Sequence, residues 1–151
     1  MEEDRTLSLL VVDDEPGLLV SLEQLLRMQG YLVTIAASGV QALTHLSKSR
    51  YDLLLLDLAM PGMSGTGVLD FIAGQDLDMA VIVISGTTSV VEATTAMRQG
   101  AIDFLRKPFN PEELLRSITN AAHKLRLERA NRNMRQRLET SERLHRFIVN
   151  H

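Results

Sequence analysis

The chain has 151 residues, 45% of them hydrophobic, no cysteine, and a formal net charge of −3. That length supports one well-buried domain with residues to spare. It excludes a disulfide framework and thiolate chemistry, and no apolar run approaches the roughly 18–20 residues a membrane span needs. Charge is unevenly divided. Residues 1–125 carry nine Lys+Arg against sixteen Asp+Glu, whereas residues 126–151 carry seven arginines against three glutamates, so two structural units are expected. The acidic start, Met1-Glu2-Glu3-Asp4-Arg5, is unlike a secretory signal, and a cytoplasmic protein with no membrane partner is expected.

Leu7–Val12 is a short apolar run that reads as a strand and ends in Asp13-Asp14-Glu15-Pro16. Pro16 suits the first turn of a helix, with acidic residues just before it as a helix N-terminus prefers, and Leu18, Leu19, Leu22, Leu25, Leu26 and Met28 recur at helical spacing until Gly30. Tyr31–Ala36 reads as a second strand, and Ser38 as the cap of a helix carrying Val40, Leu43 and Leu46. Leu53-Leu54-Leu55-Leu56 is the centre of the pattern: a run apolar on both faces, as in a covered parallel sheet, that ends on Asp57 and is broken by Pro61, Gly62 and Gly65. Ser64 reads as the cap of a third helix with Val68, Leu69, Phe71 and Ile72 on its buried side. Ala80–Ile84 is a fourth strand closed by Ser85-Gly86, and residues 89–98 form a Thr- and Val-rich helix of weak propensity, ending at Gly100. Ala101–Leu105 is a fifth strand, followed by Lys107-Pro108-Phe109. Pro111 and two glutamates then open the last helix. The methionines are scattered and read as core filler. Five alternating strand–helix units imply an α/β, doubly wound parallel sheet with helices on both faces.

The residues just past each strand carry the chemistry. Strand one is followed by Asp13 and Asp14, strand three ends on Asp57, strand four leads to Ser85, and strand five to Lys107. Singly these are ordinary residues: a turn and helix cap, a loop serine, a surface lysine. In a parallel sheet, however, all these strand ends lie on one edge, where open α/β sheets bind ligands. Converging carboxylates repel unless a cation neutralises them. A hard divalent ion with sites left for phosphate oxygens, Mg²⁺, suits such a set. Asp57 can then act as nucleophile toward a phosphoryl donor, with Lys107 offsetting the phosphoryl charge, the Ser85 hydroxyl donating to a phosphoryl oxygen, and Gly86 leaving room.

The motifs Val12-Asp13-Asp14-Glu15, Asp57-Leu-Ala-Met-Pro-Gly-Met-Ser-Gly65, Ile84-Ser85-Gly86 and Gly100-Ala-Ile-Asp-Phe104-Leu-Arg-Lys107-Pro108-Phe109 together resemble the receiver domain of two-component response regulators, over residues 7–125. The resemblance implies a flavodoxin-like strand order of 2-1-3-4-5 and a switch phosphorylated on Asp57 by a sensor histidine kinase or phosphotransfer protein. It makes Asp14 a direct Mg²⁺ ligand, Asp13 one largely through water, and the backbone carbonyl of Ala59 the remaining protein ligand. It makes Ser85 and Phe104 the switch pair and the Lys107–Pro108 bond cis. It also implies that residues two beyond the phosphoacceptor and two beyond the serine, here Ala59 and Thr87, influence the attacking water. Neither offers a carboxylate or amide, so a long-lived phosphorylated state is expected. Such a chain is no enzyme beyond catalysing its own phosphorylation and dephosphorylation. The alternative is a phosphatase of the haloacid dehalogenase type, which needs a second acid where Ala59 stands.

His45, His123, His145 and His151 neither cluster nor neighbour the acids and read as surface residues. From Pro111 to about Ile148 there is no Gly or Pro. Leu127, Asn131, Met134, Leu138, Ser141, His145 and Ile148 follow alternating spacings of four and three, a polar-interrupted heptad seam. Residues 1–125 are expected to form the receiver. Residues 126–151 are expected to form a helical linker that pairs two chains, with its arginines as solvated flanks and no direct nucleic-acid contact. Leu144–His151 resembles the lead-in helix of a PAS domain, so the chain is expected to stop short of an output domain. A homodimer through this helix is the expected assembly.

Overall fold

In a computed structural model, residues 6–62, 65–86 and 89–150 are described, Asn150 by its backbone alone. Met1–Arg5, Met63, Ser64, Thr87 and His151, singled out above, lie outside them.

Five strands and five helices alternate in the order β1 (Ser8–Val12), α1 (Pro16–Met28), β2 (Leu32–Ala36), α2 (Gly39–Lys48), β3 (Leu53–Asp57), α3 (Gly65–Gly74), β4 (Ala80–Ser85), α4 (Val90–Arg98), β5 (Asp103–Arg106) and α5 (Pro111–Asn150). All strand pairs are parallel, and the sheet order is β2-β1-β3-β4-β5, the α/β architecture expected. After β1 the chain moves outward to β2, then returns to place β3 on the other side of β1. The crevice between β1 and β3 is therefore the topological switch point, where such sheets bind ligands.

Alternate strand residues feed two separate cores. Leu9, Val11, Leu53, Leu55, Ile82 and Ile84 face α1 and α5, while Leu10, Val12, Leu54, Leu56, Val81 and Val83 face the layer of α2, α3 and α4. Leu53, Leu54, Leu55 and Leu56 are all completely buried, each contributing about 1.5–3 kcal/mol of transfer free energy. This is the rigid member from which Asp57 extends.

Helix ends are capped where the sequence offers short polar side chains. The Ser38 hydroxyl accepts from Gln41 N–H and the Ser89 hydroxyl from Glu92 N–H, and Asn110 Oδ1 accepts from Glu113 N–H at 2.7 Å. Two local expectations are corrected. Val40 and Met28 lie on solvent faces, 61% and 82% exposed, because the buried stripes run through Ala42 and Leu46 in α2 and Leu19, Leu22 and Leu26 in α1. The methionines are not uniformly filler either: Met60 is buried, but Met97 and Met134 are exposed.

α5 is one continuous helix past residue 125. Leu114, Ile118, Ala121, Ala122 and Leu125 are its buried stripe, and no break separates that segment from the extension. Among the described residues, no helix is long and apolar enough to cross a membrane.

Candidate functional site

Register delivers the acids to one place. Val12 pairs with Leu56, so Asp13 follows beside Asp57 across the β1/β3 crevice. Asp13 N–H donates to Ala36 O at 3.1 Å, extending the β1–β2 ladder by one bond and fixing where its side chain leaves the backbone. Oxygens of Asp13, Asp14 and Asp57 all lie within 4.8 Å of one another. Asp13 and Asp57 are buried and Asp14 is exposed, so the group has two walls and an open mouth.

Lys107 reaches the same point from the end of β5. Its backbone N–H donates to Ser85 O at 2.8 Å, and its ammonium lies 2.8 Å from Asp13 Oδ2, 3.2 Å from Asp57 Oδ2 and 3.2 Å from Glu15 Oε1. The peptide bond to the next residue, Lys107–Pro108, is cis. Burial works against the lysine's charge, but the contact and charge of Asp13, then of Asp57 and Glu15, outweigh it and raise its pKa well above the ordinary value. Lys107 is a permanent cation here.

The acceptor end is held by backbone donors. Ala59 N–H donates to Asp57 Oδ1 at 3.0 Å and Glu15 N–H to Asp13 Oδ1 at 2.9 Å. Burial raises the pKa of Asp57. The Ala59 hydrogen bond opposes that, the nearby Asp13 charge adds to it, and Lys107 offsets it. Asp57 thus has one oxygen committed to Ala59 and the other turned toward Lys107 and the mouth.

Gly65 makes the close approach of α3 possible. A Cβ there would stand 2.7 Å from Leu58 Cα and 2.8 Å from the Asp57 carbonyl oxygen. Its N–H donates to Leu58 O at 3.3 Å, tying the start of α3 to the acceptor turn.

A divalent cation fits this donor set. Asp13 Oδ2 is fully buried, and its contact is the Lys107 ammonium at 2.8 Å, which leaves a carboxylate oxygen with acceptor capacity to spare. A hard ion among three carboxylates relieves both that and their mutual repulsion.

Asp13, Asp14, Asp57 and Lys107 are brought together. Ser85 is completely buried at the end of β4, one position past Ile84, which pairs with Asp57. Phe104 is half-buried on β5 and packs against the core shared by α2, α3 and α4. Glu15 is the residue sequence reasoning passed over. Adjacent to Asp13-Asp14 and before Pro16, it read as a favourable acid at a helix start, whereas its carboxylate sits on Lys107.

The response regulator receiver domain model matches residues 9–119. The chain belongs to the response regulator receiver family. Among curated relatives, it is 33% identical over 134 residues to the C4-dicarboxylate transport transcriptional regulatory protein DctD of Rhizobium meliloti (strain 1021), covering 89% of this chain and 29% of that protein. Among solved structures, a receiver domain protein of Methanospirillum hungatei JF-1 superposes with a TM-score of 0.79 at 30% identity, over 82% of this chain and 99% of that one. The response regulator TrrA of Thermotoga maritima, solved in complex with Mg²⁺ and BeF, does so with a TM-score of 0.69 at 30% identity, over 77% and 99%. The chain spans between about three tenths and one half of the length of the curated relatives it matches first. Response regulators work with histidine kinases, and nothing in the comparisons supports the phosphatase alternative.

Proposed function

We propose that this receiver is a switch set by transfer of a phosphoryl group to Asp57. The observation that carries the reading is one lysine ammonium shared by Asp13 and Asp57, at 2.8 and 3.2 Å, beside an acid trio within 4.8 Å.

Asp57 Oδ2, the oxygen that faces Lys107, attacks phosphorus in line, and the bond from phosphorus to the donor breaks. For a phosphohistidine donor that is the P–N bond, whose electron pair returns to the imidazole. Lys107 keeps its proton and neutralises the phosphoryl oxygens, and the Ser85 hydroxyl donates to one of them. Asp13, Asp14, Asp57 and the Ala59 carbonyl are the candidate holders of Mg²⁺, which when bound supplies charge neutralisation. Replacement of the Asp57–Lys107 contact by a phosphoryl contact changes what holds the start of α5. Ser85 then moves toward the phosphoryl group and Phe104 turns inward, carrying the change through α4, β5 and α5 to an output module. The only chemistry the receiver performs is on its own aspartate. A histidine kinase or phosphotransfer protein as donor, and a cytoplasmic setting, follow from that role.

The finer assembly reading is a homodimer. Leu127, Met134, Leu138 and Ile148 are each more than half exposed and fall on one seam of the extension. In a parallel, in-register pair the flanking Arg137 lies opposite Glu142 of the second copy, a favourable contact for a weak, polar-interrupted seam. Residues 126–151 are then the dimerising linker ahead of an output domain.

Incubation with acetyl phosphate and Mg²⁺ tests the switch. Stoichiometric labelling that is lost in Asp57→Asn supports it. Undiminished labelling of that variant, or many turnovers per chain, overturns it. Sedimentation of the whole chain against Leu138→Glu tests the pairing: equal monomeric behaviour at tens of micromolar, phosphorylated or not, rejects it.

A further inference from the structure

Leu125 is the last buried apolar residue of α5, yet the helix does not leave the receiver there. Arg129 lies across the entry points of the two central strands. Its Nη1 donates to Asp52 Oδ1 at 2.8 Å, its Nε to Asp78 Oδ2 at 3.1 Å, and its Nη2 to the Asp78 carbonyl at 3.2 Å. Three residues on, Arg132 Nη2 donates to Asp78 Oδ1 at 2.8 Å. Asp52 is 5% exposed, and its other oxygen accepts Ser8 N–H at 2.8 Å. This corrects the expectation that the arginine run is uniformly solvated: two of its members hold the body of the receiver.

The placement is specific. Asp52 immediately precedes β3 and Asp78 stands two residues before β4, so the cluster occupies the sheet edge opposite Asp57. Leu125, Arg129 and Arg132 recur at i, i+4 and i+7, continuing the buried stripe by two turns in charged form. Leu127, Met134 and Leu138 sit about half a turn away from that stripe. With the first face pinned to the receiver, the second is turned outward.

We propose that Asp52, Asp78, Arg129 and Arg132 form a clasp that sets the direction and rotational phase of the C-terminal helix. From Asn133 to Val149 every residue of the helix is exposed. β3 carries the phosphoacceptor at one end and is preceded at the other by the clasp's buried acid, so the helix is tied to the same rigid strand the site grows from. The clasp decides which face the extension presents, and it operates whether or not two chains pair. The Arg129 fork makes three directed contacts that one ammonium cannot reproduce.

Hydrogen exchange on the full chain tests this. In Arg129→Ala/Arg132→Ala, amides of residues 126–132 are expected to exchange at least about tenfold faster, with those of β3 and of residues 114–122 unchanged. Arg129→Lys, which keeps the charge, is expected to resemble Arg129→Ala. Unchanged exchange across 126–132 in the double variant overturns the clasp, and full rescue by lysine overturns its geometry. Should the double variant lose protection throughout, Arg132→Ala alone decides, since it touches only the half-exposed Asp78. Local loss over 126–132 supports the clasp, and unchanged exchange there rejects it.

Discussion

Replacing Asp57 by asparagine is expected to make the metal-free receiver more stable at neutral pH, although it removes the residue that accepts the phosphoryl group. Asp57 is 2% exposed, with Asp13 and Asp14 oxygens within 4.8 Å and the Lys107 ammonium at 3.2 Å. At an effective dielectric of about 20, a like-charge pair at that separation repels by ~3.5 kcal/mol, while the lysine returns ~5 kcal/mol. Asp14 is exposed and adds a screened fraction of a second repulsion. The charge–charge contributions nearly cancel, which leaves the desolvation of a buried carboxylate, the leading cause of its raised pKa, only partly offset by the Ala59 hydrogen bond. Asparagine keeps the shape and the oxygen that accepts Ala59 N–H. A gain of about 1–2 kcal/mol is expected, part of the several kcal/mol that burying an ion costs. That corresponds to about 2–8 °C in Tm for a chain of this size. The folded pKa lies above the unfolded 3.8, so the folded state holds the proton longer. Stability of the parent chain therefore falls as pH rises from 3.8 through the folded value. The advantage of Asp57→Asn should be absent below pH 3.8 and complete above the folded pKa. Urea unfolding followed by circular dichroism, across pH with a chelator and then with Mg²⁺, measures it. Mg²⁺ should favour the parent chain by mass action and narrow the gap. A variant no more stable than the parent at pH 7 in chelator would sink this electrostatic account.

Lys107→Met removes the cation shared by Asp13, Asp57 and Glu15. Mg²⁺ affinity by titration calorimetry should rise about tenfold or more, while labelling of Asp57 slows by about 10²–10³; weaker Mg²⁺ binding would contradict the charge argument. Gly65→Ala places a methyl against the Asp57–Leu58 backbone and should cost about 1–3 kcal/mol in urea unfolding, whereas a neutral result would mean that α3 can step back freely. Ala59 has no side chain with which to hold an attacking water, so the phosphorylated state should be long-lived, and Ala59→Asn should shorten it several-fold. Loss of label from the parent chain within seconds would count against that.

The order and type of every element are legible in the residues alone, because strand runs such as Leu53–Leu56 and helix stripes such as Leu19-Leu22-Leu26 carry their periodicity locally. The acids, the serine and the lysine are legible too, since each follows a strand and parallel strands end on one edge. The remaining features depend on how the elements are assembled. The adjacency of β1 and β3, which puts Asp13 beside Asp57, is a crossover choice that no local pattern encodes. Glu15 looked like a helix-start acid until β5 delivered Lys107 to it from 92 positions away. Arg129 and Arg132 looked like the other arginines of a polar helix. Their partners, Asp52 and Asp78, are 77 and 54 residues distant in the chain, and only the docking of α5 along the sheet brings the charges together. Ion pairs between distant segments leave no periodic trace in a sequence, because each partner satisfies its own element equally well as a solvated charge.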